Sequence, residues 1–270
     1  MSDIKIVSID IDGTLLNDNH EITKDVKDAI QQAIAQDVKI VITTGRPLPG
    51  VQPILDELNI KGADQYVITH NGGLMQTADG SKILFSAPLA FDEWQLINQF
   101  MREQATYIQV ESQSMAYTTN HLVHPWASFE NSLVNLPLRV LDDETALKHV
   151  EITKGIANAE SAELDRVQAL VPDSIMNAVS VIRSTANNLE FINQAASKGN
   201  ALIALANELG VEMTQTMAIG DQENDLSMIE VAGTSIAMGN AIERIKAAAH
   251  FTTADNNHSG VAQALQTYVL

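Results

Sequence analysis

Ile4-Lys5-Ile6-Val7-Ser8-Ile9-Asp10-Ile11-Asp12-Gly13-Thr14 opens with a short apolar strand and closes on two aspartates and a glycine. Side chains at i and i+2 of an extended chain point the same way, so Asp10 and Asp12 are expected to face one site. Two carboxylates a few ångströms apart repel, and one is driven toward its protonated form unless a cation intervenes. That pairing suits divided work, with one carboxylate as nucleophile and the other as proton donor. Gly13 lets the chain turn away. Taken alone, an Asp-Gly turn with a capping carboxylate explains the same residues.

The segments on either side of this strand repeat one rhythm. Thr23 is placed to cap a helix whose Val26, Ile30, Ala33 and Ile34 form one stripe. A strand at 38–42, a helix at 51–58 and a strand at 66–68 follow, the last running into Asn71-Gly72-Gly73. Toward the C-terminus, Ala201, Leu202, Leu205 and Leu209 mark a helix stopped by Gly210. Then come a strand at 216–219, a helix at 224–231, a strand at 235–238 and a helix at 260–268. Such alternation predicts an α/β fold, a Rossmann-like parallel sheet covered on both faces, with ligands at the carboxyl ends of the strands.

Glycine divides the chain further. Of 14 glycines, only Gly155 lies between Phe85 and Asn188, and glycine belongs where backbone turns sharply or approaches a ligand. Residues 1–84 and 189–270 are therefore read as an α/β core with functional loops, and 85–188 as an inserted α+β domain. Within the insert, Trp94, Ile97 and Met101 predict one helix, and Leu164, Val167 and Val171 another. Strands are expected at 107–111, 115–119, 150–156 and 179–183.

Composition narrows the function. The 270 residues are 45% hydrophobic and carry a net charge of −18, which excludes disorder and argues against nucleic acid, whose phosphates need a basic footprint. The longest apolar run is Ala201–Ala206, far short of the roughly 20 residues that span a membrane. With no cysteine there is no thiolate metal site and no disulfide framework. Without a secretory leader, the chain is expected to be cytoplasmic.

Three further polar clusters follow strands or open helices. Thr43-Thr44-Gly45-Arg46 offers a hydroxyl and backbone N–H groups to a phosphate oxygen. Ser197-Lys198-Gly199 puts a lysine at a helix N-terminus, where the dipole disfavours it unless an anion binds there. Gly220-Asp221-Gln222-Glu223-Asn224-Asp225 gathers hard oxygens suited to Mg²⁺. A capped turn, an exposed lysine and a solvated acidic cap are the plain alternatives. Phosphate-loop, dinucleotide, nucleophile-elbow and zinc-protease patterns are absent.

DxDGT, TGR, a helix-opening SKG and GDxxND, in that order, resemble the haloacid dehalogenase-like (HAD) superfamily, in its Cof-type phosphatase branch. The resemblance extends to Asn71-Gly72, to Ala237-Met238-Gly239-Asn240-Ala241, and to Thr253, Asn256 and Gly260-Val261-Ala262; Thr43 departs from the small apolar residue usual there. The insertion sits where that branch carries its C2 cap. The resemblance implies Asp10 as nucleophile and Asp12 as proton donor, with an aspartyl-phosphate between them. It implies Mg²⁺ held by Asp10, the Asp12 backbone carbonyl and Asp221, with Asp225 as ligand or support. Thr44, Gly45, Lys198 and Asn224 would bind the phosphoryl group. The implied substrate is a small phosphorylated metabolite such as a sugar phosphate, acted on by a monomer or homodimer with no nucleic-acid or membrane partner. A phosphomutase or a phosphoacceptor signalling protein would use the same aspartate, and a dehalogenase would dispense with Asp12.

Overall fold

The computed structural model describes residues 3–270, which form two compact units. The first joins the stretch up to Gly45 with Pro53–Phe85 and Ser197–Leu270; the second comprises Arg46–Gln52 and Ser86–Ala196.

In the first unit the chain lays down β1 (Ile6–Ile9), β2 (Lys39–Thr43), β3 (Tyr66–Thr69), β4 (Leu74–Thr77) and β5 (Ile83–Ser86). Thr23 caps the helix Lys24–Ala35, which buries Val26, Ala29, Ile30 and Ala33. Ile34, placed on that stripe by the sequence, is only half-buried.

The second unit holds a six-stranded sheet of β6 (Ile108–Glu111), β7 (Ala116–Thr118), β8 (Leu138–Val140), β9 (Lys154–Asn158), β10 (Val179–Thr185) and β11 (Asn188–Asn193), in the order β10-β11-β9-β6-β7-β8. Its two faces differ, as period-two alternation requires. Ile108, Val110, Ala157, Leu189 and Phe191 form one core with Trp94, Ile97, Met101, Leu164 and Val167. The other face carries Gln109, Glu111, Lys154, Asn158, Asn188 and Glu190, all buried. There Lys154 Nζ lies 3.1 Å from Glu190 Oε1 and 3.4 Å from Glu111 Oε2. Burial pushes the Glu111 carboxyl up to about 7, Lys154 acting against that shift and Glu190 with it.

Two boundaries move. Residues 189–196, assigned to the core from the sequence, pack in the second unit, because β11 is a strand of its sheet. The strand expected at 150–156 begins only at Lys154, since a 3-10 turn over Glu144–His149 leads into it.

The chain then returns to the first unit with the helix Lys198–Leu209, capped by Ser197 and ended by left-handed Gly210. There follow β12 (Thr216–Gly220), β13 (Thr234–Ala237) and β14 (Phe251–Thr252). The eight-stranded order is β14-β13-β12-β1-β2-β3-β4-β5. β1 pairs in parallel with both β2 and β12. The sheet is not parallel throughout, because β4 folds back antiparallel on β3 after the Asn71-Gly72-Gly73 turn. Strand order reverses between β1 and β12, and at such a switch point the carboxyl ends of the strands open a crevice. Asp10 follows β1 and Asp221 follows β12 on that edge.

Candidate active site

Asp10 is the first residue past β1, and its N–H still bonds the Ile219 carbonyl of β12 at 3.1 Å. Beyond it the chain leaves the extended form. Leu15 N–H bonds the Asp10 carbonyl at 3.2 Å and Leu16 N–H the Ile11 carbonyl at 3.0 Å, a wide turn. The chain past Asp10 is thus a turn and not a continued strand, with Asp10 buried and Asp12 exposed. Gly13 sits at φ +79°, and a Cβ there would lie 2.6 Å from Asp221 Oδ2. No other residue type fits that approach.

Asp10, Asp221 and Asp225 offer carboxylate oxygens within 4.8 Å of one another, the one such metal-competent group among the described residues. Lys198 is fully buried among them, with Nζ 2.5 Å from Asp10 Oδ1 and 2.6 Å from Asp225 Oδ1. The anion that the sequence asked for at this helix start is thus supplied in part by the protein. Asp225 Oδ2 accepts the N–H groups of Asp221 and Gln222 at 2.8 and 3.0 Å. Gly220 permits this, since a Cβ on it would come within 2.6 Å of the Asp225 side chain.

Were all three carboxylates ionised, they would exceed the single ammonium by two negative charges. Burial, then the charge of Asp225, raises the Asp10 carboxyl well above its usual range, with Lys198 pulling the other way. Burial likewise pushes Asp221 up to about 6, against a 2.8 Å hydrogen bond donated by Thr14 Oγ1. Burial alone would lower Lys198, but Asp10 and Asp225 outweigh it and raise it. Clustered, hard and anionic, these oxygens form a donor set that could hold a divalent cation.

The phosphate-binding candidates follow β2 and lie in the 221–225 loop. Thr44 is buried, but its N–H is taken by the Ile68 carbonyl at 2.9 Å, so the backbone donor expected at that residue is spent on the sheet. Gly45 lies against Asn71, whose amide would be 3.0 Å from a Cβ there. Asn71 N–H bonds the Thr44 carbonyl at 2.9 Å, and exposed Asn224 donates to Asn71 Oδ1 at 3.1 Å. Asn71 and Thr14 are the two residues that sequence reasoning left without a role. The Asn-Gly-Gly turn and the DxDGT run contained them, but nothing local showed which loop each would touch. Thr43, the departure from the expected apolar residue, pairs its hydroxyl with Ser8 Oγ at 2.6 Å, so its polarity is satisfied inside the sheet.

A family profile described as haloacid dehalogenase-like hydrolase matches residues 7–265. The chain belongs to that family. YxeH of Bacillus subtilis strain 168, a proposed phosphatase, is 38% identical over 266 residues, covering 98% of each chain. The 5-amino-6-(5-phospho-D-ribitylamino)uracil phosphatase YwtE of the same organism is 30% identical over 287 residues, covering 96% of each. Among solved structures, a haloacid dehalogenase-like hydrolase from Bacteroides thetaiotaomicron superposes with a TM-score of 0.87 at 27% identity, over 98% of this chain and 99% of that one. In this chain the metal-competent carboxylates stand past the ends of β1 and β12. Among the described residues, no helix is long and apolar enough to cross a membrane.

Proposed function

We propose that this hydrolase releases inorganic phosphate from small phosphomonoesters, with Asp10 as nucleophile and Mg²⁺ as cofactor. The observation that carries this reading is the buried group of Asp10, Asp221, Asp225 and Lys198 at the switch point of the sheet. Asp10, Asp221 and the Asp12 carbonyl would hold the ion, while Asp225 orients Lys198 and the 221–222 backbone. When bound, the ion offsets the charge of the carboxylates and of the phosphoryl oxygens.

The chain's own residues then carry the chemistry. Lys198, the Thr44 hydroxyl, Gly45 and Asn224 hold the phosphoryl oxygens. An Asp10 oxygen bonds to phosphorus as the ester P–O bond breaks, and Asp12 gives its proton to the departing alkoxide. Asp12 next takes a proton from water, whose oxygen bonds to phosphorus as the aspartyl-phosphate bond breaks, returning Asp10 and free phosphate. Exposure suits Asp12 to this exchange, and burial suits Asp10 to a single bonded partner. The phosphorylated ribityl compound for which YwtE is named supports a sugar- or polyol-phosphate class here.

The test is phosphate release across a panel of phosphorylated sugars, polyols and nucleotides, with Mg²⁺ and with excess chelator. Chelator-sensitive turnover of some members is expected. Isomerised product without free phosphate would point instead to a mutase, and a lasting phospho-aspartate to a signalling domain.

A further inference from the structure

We propose that Asn240 is a positioning residue that fixes the Asp12–Gly13 turn against Asp221 and thereby sets the affinity of the site for its divalent cation. The proposal rests on the reading given above.

The segment after β13 touches both loops that bear the carboxylates. Met238 N–H bonds the Gly220 carbonyl at 3.1 Å, and Ile242 N–H bonds the Asp221 carbonyl at 3.1 Å. Between them, Asn240 Nδ2 reaches across to the Gly13 carbonyl at 2.8 Å. The segment's backbone thus grips the loop after β12, while one side chain grips the loop after β1.

Asn240 is itself held from behind. Its Oδ1 accepts the Asn256 N–H at 3.1 Å, and Asn256 Nδ2 donates to the Leu16 carbonyl at 3.0 Å. Two asparagines therefore secure the wide turn at Gly13 and at Leu16. Asn240 must donate at one end and accept at the other, which a primary amide does and a hydroxyl of serine length does not span.

Gly13 is where small movements matter most. Its Cα abuts the Asp221 carboxylate so closely that a Cβ would stand 2.6 Å from Oδ2. Its carbonyl belongs to the peptide next to the one carrying the Asp12 carbonyl. Releasing the Gly13 carbonyl lets both the Asp12 carbonyl and the Asp221 carboxylate drift, and supports of this kind govern affinity.

The experiment is calorimetric titration of metal-free protein with Mg²⁺, comparing wild type, Asn240→Ala and Asn257→Ala. Asn257 makes two hydrogen bonds to Asp18, at 3.1 and 3.0 Å, away from the carboxylates, so its variant matches the loss in number. Asn240→Ala should weaken Mg²⁺ binding about 10- to 100-fold, with kcat recovering at saturating Mg²⁺. Asn257→Ala should bind within about twofold of wild type. Because Asn240 is exposed, its variant should fold; if circular dichroism shows otherwise, Asn240→Ser carries the same expectation. Wild-type Mg²⁺ affinity in the Asn240 variants, or an equal loss in Asn257→Ala, overturns the proposal. A wild type that binds no Mg²⁺ at all overturns instead the metal-dependent reading beneath it.

Discussion

Asp10 and Lys198, 188 residues apart in the chain, meet with Oδ1 2.5 Å from Nζ. Lys198 has no exposure to solvent, so its charge is compensated by protein groups alone. Substituting Lys198→Met would leave Asp10 and Asp225 facing each other without an ammonium. Removing one partner of a buried ionic cluster costs about 3–5 kcal/mol. Urea unfolding of the metal-free variant at pH 7 should show a loss of that order, and Mg²⁺ should restore part of it. An unchanged unfolding midpoint would mean that the pair is solvated in solution.

The two aspartates of the first loop should separate cleanly. Asp10→Asn should lower kcat by about 10⁴-fold or more, as loss of a nucleophile does. It should not lower the melting temperature of the metal-free protein, because an amide avoids the ionisation that burial and Asp225 oppose. Asp12→Asn should lower kcat by about 10²–10⁴-fold, the range for general acid–base groups. Calorimetry should find its Mg²⁺ affinity close to wild type, because the exposed Asp12 side chain stands outside the carboxylate group. Comparable activity in either variant would unseat that residue.

Metal identity gives a third check. Stripping the enzyme with chelator should abolish phosphate release, and Mg²⁺ should restore it. Ca²⁺ should restore little, since its larger and looser coordination sphere lets Asp10 sit in unproductive positions. Equal rates with both ions would show that the carboxylate geometry does not discriminate between them.

The buried carboxyl of Glu111 makes the second unit sensitive to pH. Its value of about 7 in the folded chain, against an ordinary 4.5, means that the folded state holds this proton more tightly. Stability therefore falls as pH rises from about 4.5 through about 7, by up to roughly 3 kcal/mol, and levels off above. Glu111→Gln should flatten that slope. Both tryptophans, Trp94 and Trp126, lie in this unit, so fluorescence-monitored urea unfolding across the range reads it directly. Parallel slopes for wild type and variant would refute the assignment.

The sequence carried the core where local signals coincide with tertiary roles. Thr23 as cap, Gly210 as stop and the helix at 260–268 are all found as read, because capping chemistry and a helical stripe are local facts. β4 and β11 were missed for different reasons. β4 lies just past a turn that looked like the end of a strand, and β11 alternates Asn, Leu, Glu, Phe with the polar residues facing inward. Lys198 was legible as an anomaly at a helix N-terminus, but its partners, Asp10 and Asp225, belong to distant loops. The wide turn after Asp10 was not legible, because it depends on the Asp10 and Ile11 carbonyls finding Leu15 and Leu16.

β1 lies in the middle of its sheet, yet one of its two neighbours is encoded very late: Ile6 pairs with Lys39 on one side and with Thr216 on the other. During synthesis the β2 edge can zip soon after the chain emerges, while the β12 edge stays bare until roughly 210 further residues have been added. At about 5–20 residues per second that interval lasts about 10–40 s, with a largely apolar strand presenting unpaired amides to the ribosome's surroundings. The ribosome meanwhile completes the whole of the second unit, which can bury its own core before Lys198 and Asp221 exist. The order of residues along the messenger thus makes the hydrolase vulnerable to strand-edge aggregation before it can be active. Slowing translation just ahead of residue 216 should lengthen that exposure and lower the yield of soluble enzyme.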